Sequence, residues 1–220
     1  MKSVLIAMPT MGSVNVRTFI SMAGLDLSGI NSTVGVDDGS LVYMARNKLT
    51  IRAIEGGYDY ICWIDSDMEF GADTVKRLLE DAESGMDFVT ALCFKRSFPT
   101  HPTIFKDIRF DKTWDVDIYN DYPKDSVFEI AGAGMACCLI KTDLLKQVAE
   151  YFKCSPFEPL PSLGEDYSLC YRLREMGVKM FCDSRIKIGH VGSFVFNENT
   201  FNVQREASNV LHSDEQWRFA

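Results

Sequence analysis

Val4 to Met8 is an unbroken apolar run closed by Pro9-Thr10-Met11-Gly12, the pattern of a strand buried on both faces that feeds a loop. It predicts a central parallel strand. A second short strand is expected around Thr33 to Val36, ending at Asp37-Asp38-Gly39, after which Ser40 caps a helix running to about Glu55. Leu41, Ala45, Leu49 and Ala53 recur on one face of that helix and Gly56-Gly57 stops it. Tyr60 to Ile64 forms the next strand, with Asp65-Ser66-Asp67 at its carboxyl end, and a helix with Val75, Leu78, Leu79 and Ala82 inward follows. Phe88 to Phe94 supplies another strand. Residues 1 to about 95 therefore read as a βαβαβαβ unit with a parallel sheet and right-handed crossovers.

Beyond Phe94 the texture changes. Pro99, Pro102 and Pro123 punctuate a stretch rich in Asp and aromatics, which predicts short antiparallel strands and loops. Ile130 to Ile140 reads as a small-residue turn entering a buried strand, Asp143 begins a helix to about Phe152, and Pro156, Pro159 and Pro161 stiffen the loop after it. Glu165 to Met176 reads as a helix with acids in its first turn, arginines in its last and Gly177 as its stop. Strands are expected at Val178 to Cys182 and at Ile186 to His190. From Ser193 to residue 220 the chain reads as a polar tail or lid, whose Phe194, Phe196, Phe201, Trp217 and Phe219 close over a ligand or pack on the core.

Composition narrows the setting. Hydrophobic residues make up 46% and charged residues 25% of 220, values of a folded globular domain. A net charge of -8 gives no general attraction to nucleic acid or anionic lipid. No apolar run reaches signal-peptide or membrane-spanning length. Seven cysteines without CxxC spacing, most of them inside apolar runs, read as reduced thiols of a cytoplasmic protein.

The chemistry concentrates at a few places, each with two readings. Asp65 and Asp67 at i and i+2 after a buried strand fit a divalent cation, Mg²⁺ or Mn²⁺, that offsets their repulsion; an acidic turn capping the next helix is the plainer reading. Ligands of open α/β sheets bind beyond the carboxyl ends of the strands, where this pair sits. Glu69 beside it reads as solvent-facing or as a helix cap. Gly164-Glu165-Asp166 is either a helix cap or a carboxylate presented as a general base. His190 is a structural histidine or a third metal ligand. Arg46-Asn47 bridge to the Asp pair, touch a nucleotide or face solvent. Asp37 and Asp38 meet a nucleobase or ribose, or simply make a turn.

Taken in order, Pro9-Thr10, Asp37-Asp38, Ala45-Arg46-Asn47, Trp63-Ile64-Asp65-Ser66-Asp67, Gly132-Ala133-Gly134, Gly164-Glu165-Asp166 and His190 resemble a GT-A glycosyltransferase, closest in style to family 2. The resemblance covers residues 1 to about 192. It implies an α/β fold with a Rossmann-like nucleotide-sugar-binding domain: a mostly parallel central sheet flanked by helices, with a smaller antiparallel part. Residues 1-95 would be the nucleotide-binding half and 96-192 the acceptor and catalytic half. Asp65, Asp67 and His190 would hold Mn²⁺ or Mg²⁺, and Asp166 or Glu165 would be the base. Pro9, Thr10, Asp37, Asp38, Arg46, Asn47, Asp65 and Ser66 would line the nucleotide site. Gly132 and Gly134 would let donor and acceptor approach the backbone closely.

The implied reaction moves one sugar from a nucleoside-diphosphate sugar, a UDP-sugar first among them, to a hydroxyl of a small glycan, a protein or a modified DNA base, with inversion. Two rival readings stand beside it. One is a phosphohydrolase of the haloacid dehalogenase type, whose DxD pair normally lies on the first strand. The other is a non-catalytic domain that binds a sugar nucleotide or glycan.

Overall fold

The computed structural model describes residues 1–38, 41–192 and 195–215, with side chains to residue 208. Strand β1 (Ser3–Thr10) is buried from Val4 onward, and its pleat sends Leu5 and Ala7 to one face and Val4, Ile6 and Met8 to the other. The chain continues through α1 (Val16–Ala23), β2 (Asn31–Asp38), α2 (Val42–Glu55), β3 (Tyr60–Ile64), β4 (Met68–Glu69), α3 (Thr74–Glu83) and β5 (Phe88–Leu92). It then forms β6 (Ile104–Asp111), β7 (Thr113–Ile118), β8 (Val127–Ile130), β9 (Gly132–Ala133), β10 (Cys137–Lys141), α4 (Thr142–Phe152) and α5 (Glu165–Glu175). Strands β11 (Met180–Lys187), β12 (Gly189–Val191) and β13 (Val195–Phe196) and helix α6 (Glu198–Glu215) complete the described chain.

Seven strands form the central sheet in the order β2-β1-β3-β10-β5-β11-β8. β2, β1, β3, β5 and β11 run the same way, and β10 and β8 run against them. One face carries α2, α4 and α5 through Leu49, Ala53, Leu144, Leu145, Leu169 and Leu173; the other carries α3 through Val75, Leu78 and Ala82. Such a two-sided cover explains the continuous apolar runs of β1 and β3. Two small sheets flank it, the antiparallel β7-β6-β9 and the β13-β12-β4 strip.

The parallel run expected across residues 1 to 95 is interrupted. β10 enters between β3 and β5, with Cys138 opposite both Trp63 and Thr90. The two expected halves of the chain thus share one sheet. The polar stretch Asp183-Ser184-Arg185, expected to separate two strands, instead lies inside β11. It stays there because Arg185 Nε meets Asp183 Oδ1 at 2.8 Å and Ser184 Oγ donates to Pro123 O at 2.9 Å, so the buried polar groups are satisfied.

Ser40, the expected cap of α2, and Gly39 lie outside the described residues, as do Ser193, Phe194, Trp217 and Phe219. Of residues 195–208, Phe201 packs on the core, 3% exposed with its ring 5.5 Å from that of Phe94, while residues 205–208 are exposed. All seven cysteines are free. Among the described residues no helix is long and apolar enough to cross a membrane.

Candidate functional site

The carboxyl ends of β1 and β3 and the amino-terminal part of α2 frame a cleft of ≈ 580 Å³, lined by Pro9, Thr10, Asp65, Ser66 and Asp67 among others. Its rim is tied together locally. Thr10 Oγ1 donates to Ser13 O at 2.7 Å, Asn15 caps α1 and its N–H donates to Ser66 O at 2.8 Å. Glu69, in β4, pairs with Arg17 at 3.0 Å.

Asp65 and Asp67 each meet a guanidinium. Arg46 Nη2 donates to Asp65 Oδ1 at 2.9 Å, and its Nε stands 3.6 Å from Glu165 Oε1. The Arg46 side chain is 3% exposed and lies 5.4 Å from the Trp63 ring centroid and 5.9 Å from that of Phe157. This buried cation links the triplet after β3 to the acids that open α5, a hundred residues later in the chain. Burial lifts the Asp65 carboxyl above the ordinary carboxylate range, with the Asp67 charge adding to it and Arg46 opposing it.

Asp67 Oδ2 receives Arg96 Nη1 at 2.6 Å and faces His190 Nε2 at 3.3 Å. His190 Nδ1 lies 3.0 Å from the carbonyl oxygen of Phe94. A carbonyl only accepts, so Nδ1 carries the hydrogen and Nε2 turns its other valence to Asp67. Imidazoles that bind metals are oriented this way, with the far ring nitrogen anchored on a carbonyl or carboxylate. Burial opposes the imidazolium form, but the Asp67 carboxylate outweighs it and raises the His190 pKa, which favours a ring that donates Nε2–H to Asp67 in this arrangement. With that proton released, Asp67 and His190 could hold a divalent ion that takes its other ligands from water and phosphate. The expected three-residue set is not assembled, however: Asp65 Oδ1 is turned to Arg46, and among the described residues no three His, Cys, Asp or Glu side chains are grouped to hold a metal.

Asp166 lies at the start of α5, where Glu165 and Asp166 occupy the first turn. Burial first, and then the Glu165 charge, push its carboxyl from 3.8 up to about 7. Its Oδ1 accepts from Tyr167 N–H at 2.8 Å. A Cβ on Gly134 would stand 3.5 Å from Asp166 Oδ2, so the glycine lies against this carboxylate.

The other expected site residues have contacts of their own. Asn47 Oδ1 accepts from Phe157 N–H at 3.0 Å, fixing the proline-rich loop. Asp37 pairs with Lys48 at 3.4 Å and Asp38 is exposed at the end of β2; neither lines the cleft. A Cβ on Gly132 would meet Ile108 Cδ1 at 2.7 Å and Cys170 Cβ at 2.9 Å, so that glycine serves the packing of β9 on α5. Glu165 and Asp166 also lie outside the lining and connect to the cleft through Arg46. Arg96 went unread in the sequence. Its signal was present: it follows β5 at the same strand-end edge of the sheet as Asp65 and Asp67.

No family model matches the chain and no curated protein matches it. Solved structures do. The chain shares its fold with A197 from STIV. That crystal structure aligns with a TM-score of 0.60 over 87% of this chain and 86% of A197, at 17% identity. Identity this low shows the fold alone, and with 221 solved chains matching the fold by itself selects no activity.

Proposed function

We propose that this protein is a metal-dependent glycosyltransferase of the GT-A type, moving one sugar from a nucleoside-diphosphate sugar to an acceptor hydroxyl. The observation that carries the reading is the Arg46 contact with both Asp65 and Glu165, which joins a strand-end DxD triplet to a second acidic pair. Glycosyl transfer needs both: a phosphate-holding centre and a separate base.

Asp67 and His190, with Asp65 beside them, would hold Mn²⁺ or Mg²⁺. Bound there, the ion offsets the charge that builds on the leaving diphosphate. The ≈ 580 Å³ cleft is in the size range of small-ligand sites and would take the nucleotide, with Pro9, Thr10 and Ser66 on its wall; a UDP-sugar is the proposed donor. Asp166, raised to about 7, is poised between its two protonation states near neutral pH and would take the acceptor hydroxyl's proton. Gly134 leaves room for a substrate atom beside that carboxylate. A single displacement with inversion follows. A cytoplasmic setting suits the seven free thiols.

The phosphohydrolase alternative gains nothing from the geometry, since Asp65 follows β3 and is bound to a buried arginine. The test is calorimetric titration of the protein with a panel of nucleoside diphosphates, with and without Mn²⁺, alongside Asp67→Ala. Metal-dependent binding of one nucleotide, lost in the variant, supports the reading. Absence of binding under every condition overturns it.

A further inference from the structure

Among the described residues, Arg96 is the one basic residue lining the cleft. Its side chain runs along Gly192, where a Cβ would stand 2.7 Å from Arg96 Cδ and 2.8 Å from Cγ. The missing side chain at 192 is what lets the arm cross to Asp67. There Nη1 donates to Asp67 Oδ2 at 2.6 Å and to Val191 O at 3.2 Å. Nearly half of the side chain, 48%, remains exposed.

Asp67 Oδ2 is also the oxygen that faces His190 Nε2. A divalent ion placed between Asp67 and His190 takes that oxygen, the one turned to the imidazole, and a guanidinium already 2.6 Å from it is a like-charged competitor. Displaced, the arm keeps only a neutral carbonyl as partner, in a cleft whose remaining cationic need is the phosphates of a bound nucleotide. A guanidinium is suited to that second role, because its planar fork of donors can bind phosphate oxygens in pairs.

We propose that Arg96 is an exchangeable counter-ion: it neutralises Asp67 while no divalent ion is bound, and turns to the diphosphate once an ion claims Asp67. This rests on the metal and nucleotide site of the glycosyltransferase reading. Its consequence has two opposite signs. Removing the arginine relieves competition for the ion and removes a ligand from the phosphates.

The full chain, Arg96→Gln and Arg96→Lys are compared by Mn²⁺ titration, followed by electron paramagnetic resonance, and then by calorimetric titration with UDP and with GDP at saturating Mn²⁺. Arg96→Gln should bind Mn²⁺ alone about three- to tenfold more tightly and the favoured nucleotide about tenfold or more weakly. Arg96→Lys, which keeps the charge but not the fork, should fall between on both. Unchanged or weaker Mn²⁺ binding by Arg96→Gln overturns the exchange, as does unchanged nucleotide binding. If the unsubstituted protein binds nucleotide with Mn²⁺ and Asp67→Ala does not, the glycosyltransferase site stands whichever way Arg96 falls. If the unsubstituted protein binds neither ion nor nucleotide, both readings are overturned together.

Discussion

Arg46 Nη2 reaches Asp65 Oδ1 at 2.9 Å from a position almost closed to solvent. Burial alone would make its charge costly, and Asp65, Glu165 and Asp166 together hold it. Arg46→Met removes the cation and leaves these acids facing one another. The expected loss is about 2–4 kcal/mol, below the full value for a buried pair because Asp65 is partly exposed. Urea unfolding measures it. An unchanged midpoint would mean that the arginine contributes nothing net to the fold.

Asp166→Asn should separate stability from catalysis. The native carboxyl titrates at about 7 against 3.8, so the folded state holds its proton longer than the unfolded state does. Below pH 4 both states are protonated and the group is neutral in its effect; above pH 7 the folded state bears the full penalty of ionising it. The amide keeps the acceptor for Tyr167 N–H and removes that penalty. Thermal melts should show the variant more stable by about 2–4 kcal/mol above pH 7, with no gain at pH 4, while sugar transfer is lost and nucleotide binding kept.

Glu198 behaves oppositely. Burial would raise its carboxyl, but Lys124, Lys187 and Tyr122 outweigh it and hold the group at about 2 against 4.5. Its stabilisation is present above pH 4.5 and disappears as pH falls toward 2. Glu198→Gln should cost about 1–3 kcal/mol at pH 7 and nearly nothing at pH 2. Denaturant unfolding at the two pH values tests this, and an equal cost at both would rule out the ionic explanation.

Gly132→Ala places a methyl 2.7 Å from Ile108 Cδ1 and 2.9 Å from Cys170 Cβ. The Ile108 end can swing, but the Cys170 Cβ is fixed to α5. A destabilisation of about 1–3 kcal/mol is expected from overpacking. Differential scanning calorimetry reads it directly, and a variant as stable as the parent would show that β9 and α5 can part.

Much of this arrangement is legible in the residues. The runs at Val4 to Met8 and Tyr60 to Ile64 mark buried strands because both faces of each are covered, and the strand-end rule brings Asp65 and Asp67 to the cleft. The direction of β10 is not legible: Cys137-Cys138-Leu139-Ile140 is apolar on both faces, and such a run reads the same whichever way it enters a sheet. Asn47 looks like the companion of Arg46, yet adjacent helical residues point about 100° apart, and the asparagine reaches Phe157 instead. Arg96 could be read only from its place after a strand that ends on the same edge as Asp65 and Asp67, since a single arginine in a proline-rich loop otherwise matches any surface charge.

The antiparallel insertion of β10 sets an order on synthesis. When residues 1–95 have left the ribosome, β3 and β5 are both made, but the strand that bridges them is still more than forty residues away. Until β10 arrives, each presents an open edge of unpaired backbone amides and carbonyls. The nascent chain must therefore keep the open edge of the β2-β1-β3 piece apart from β5, whose other neighbour β11 is made later still, and direct pairing of β3 with β5 is the misfold that this order leaves open until residue 141.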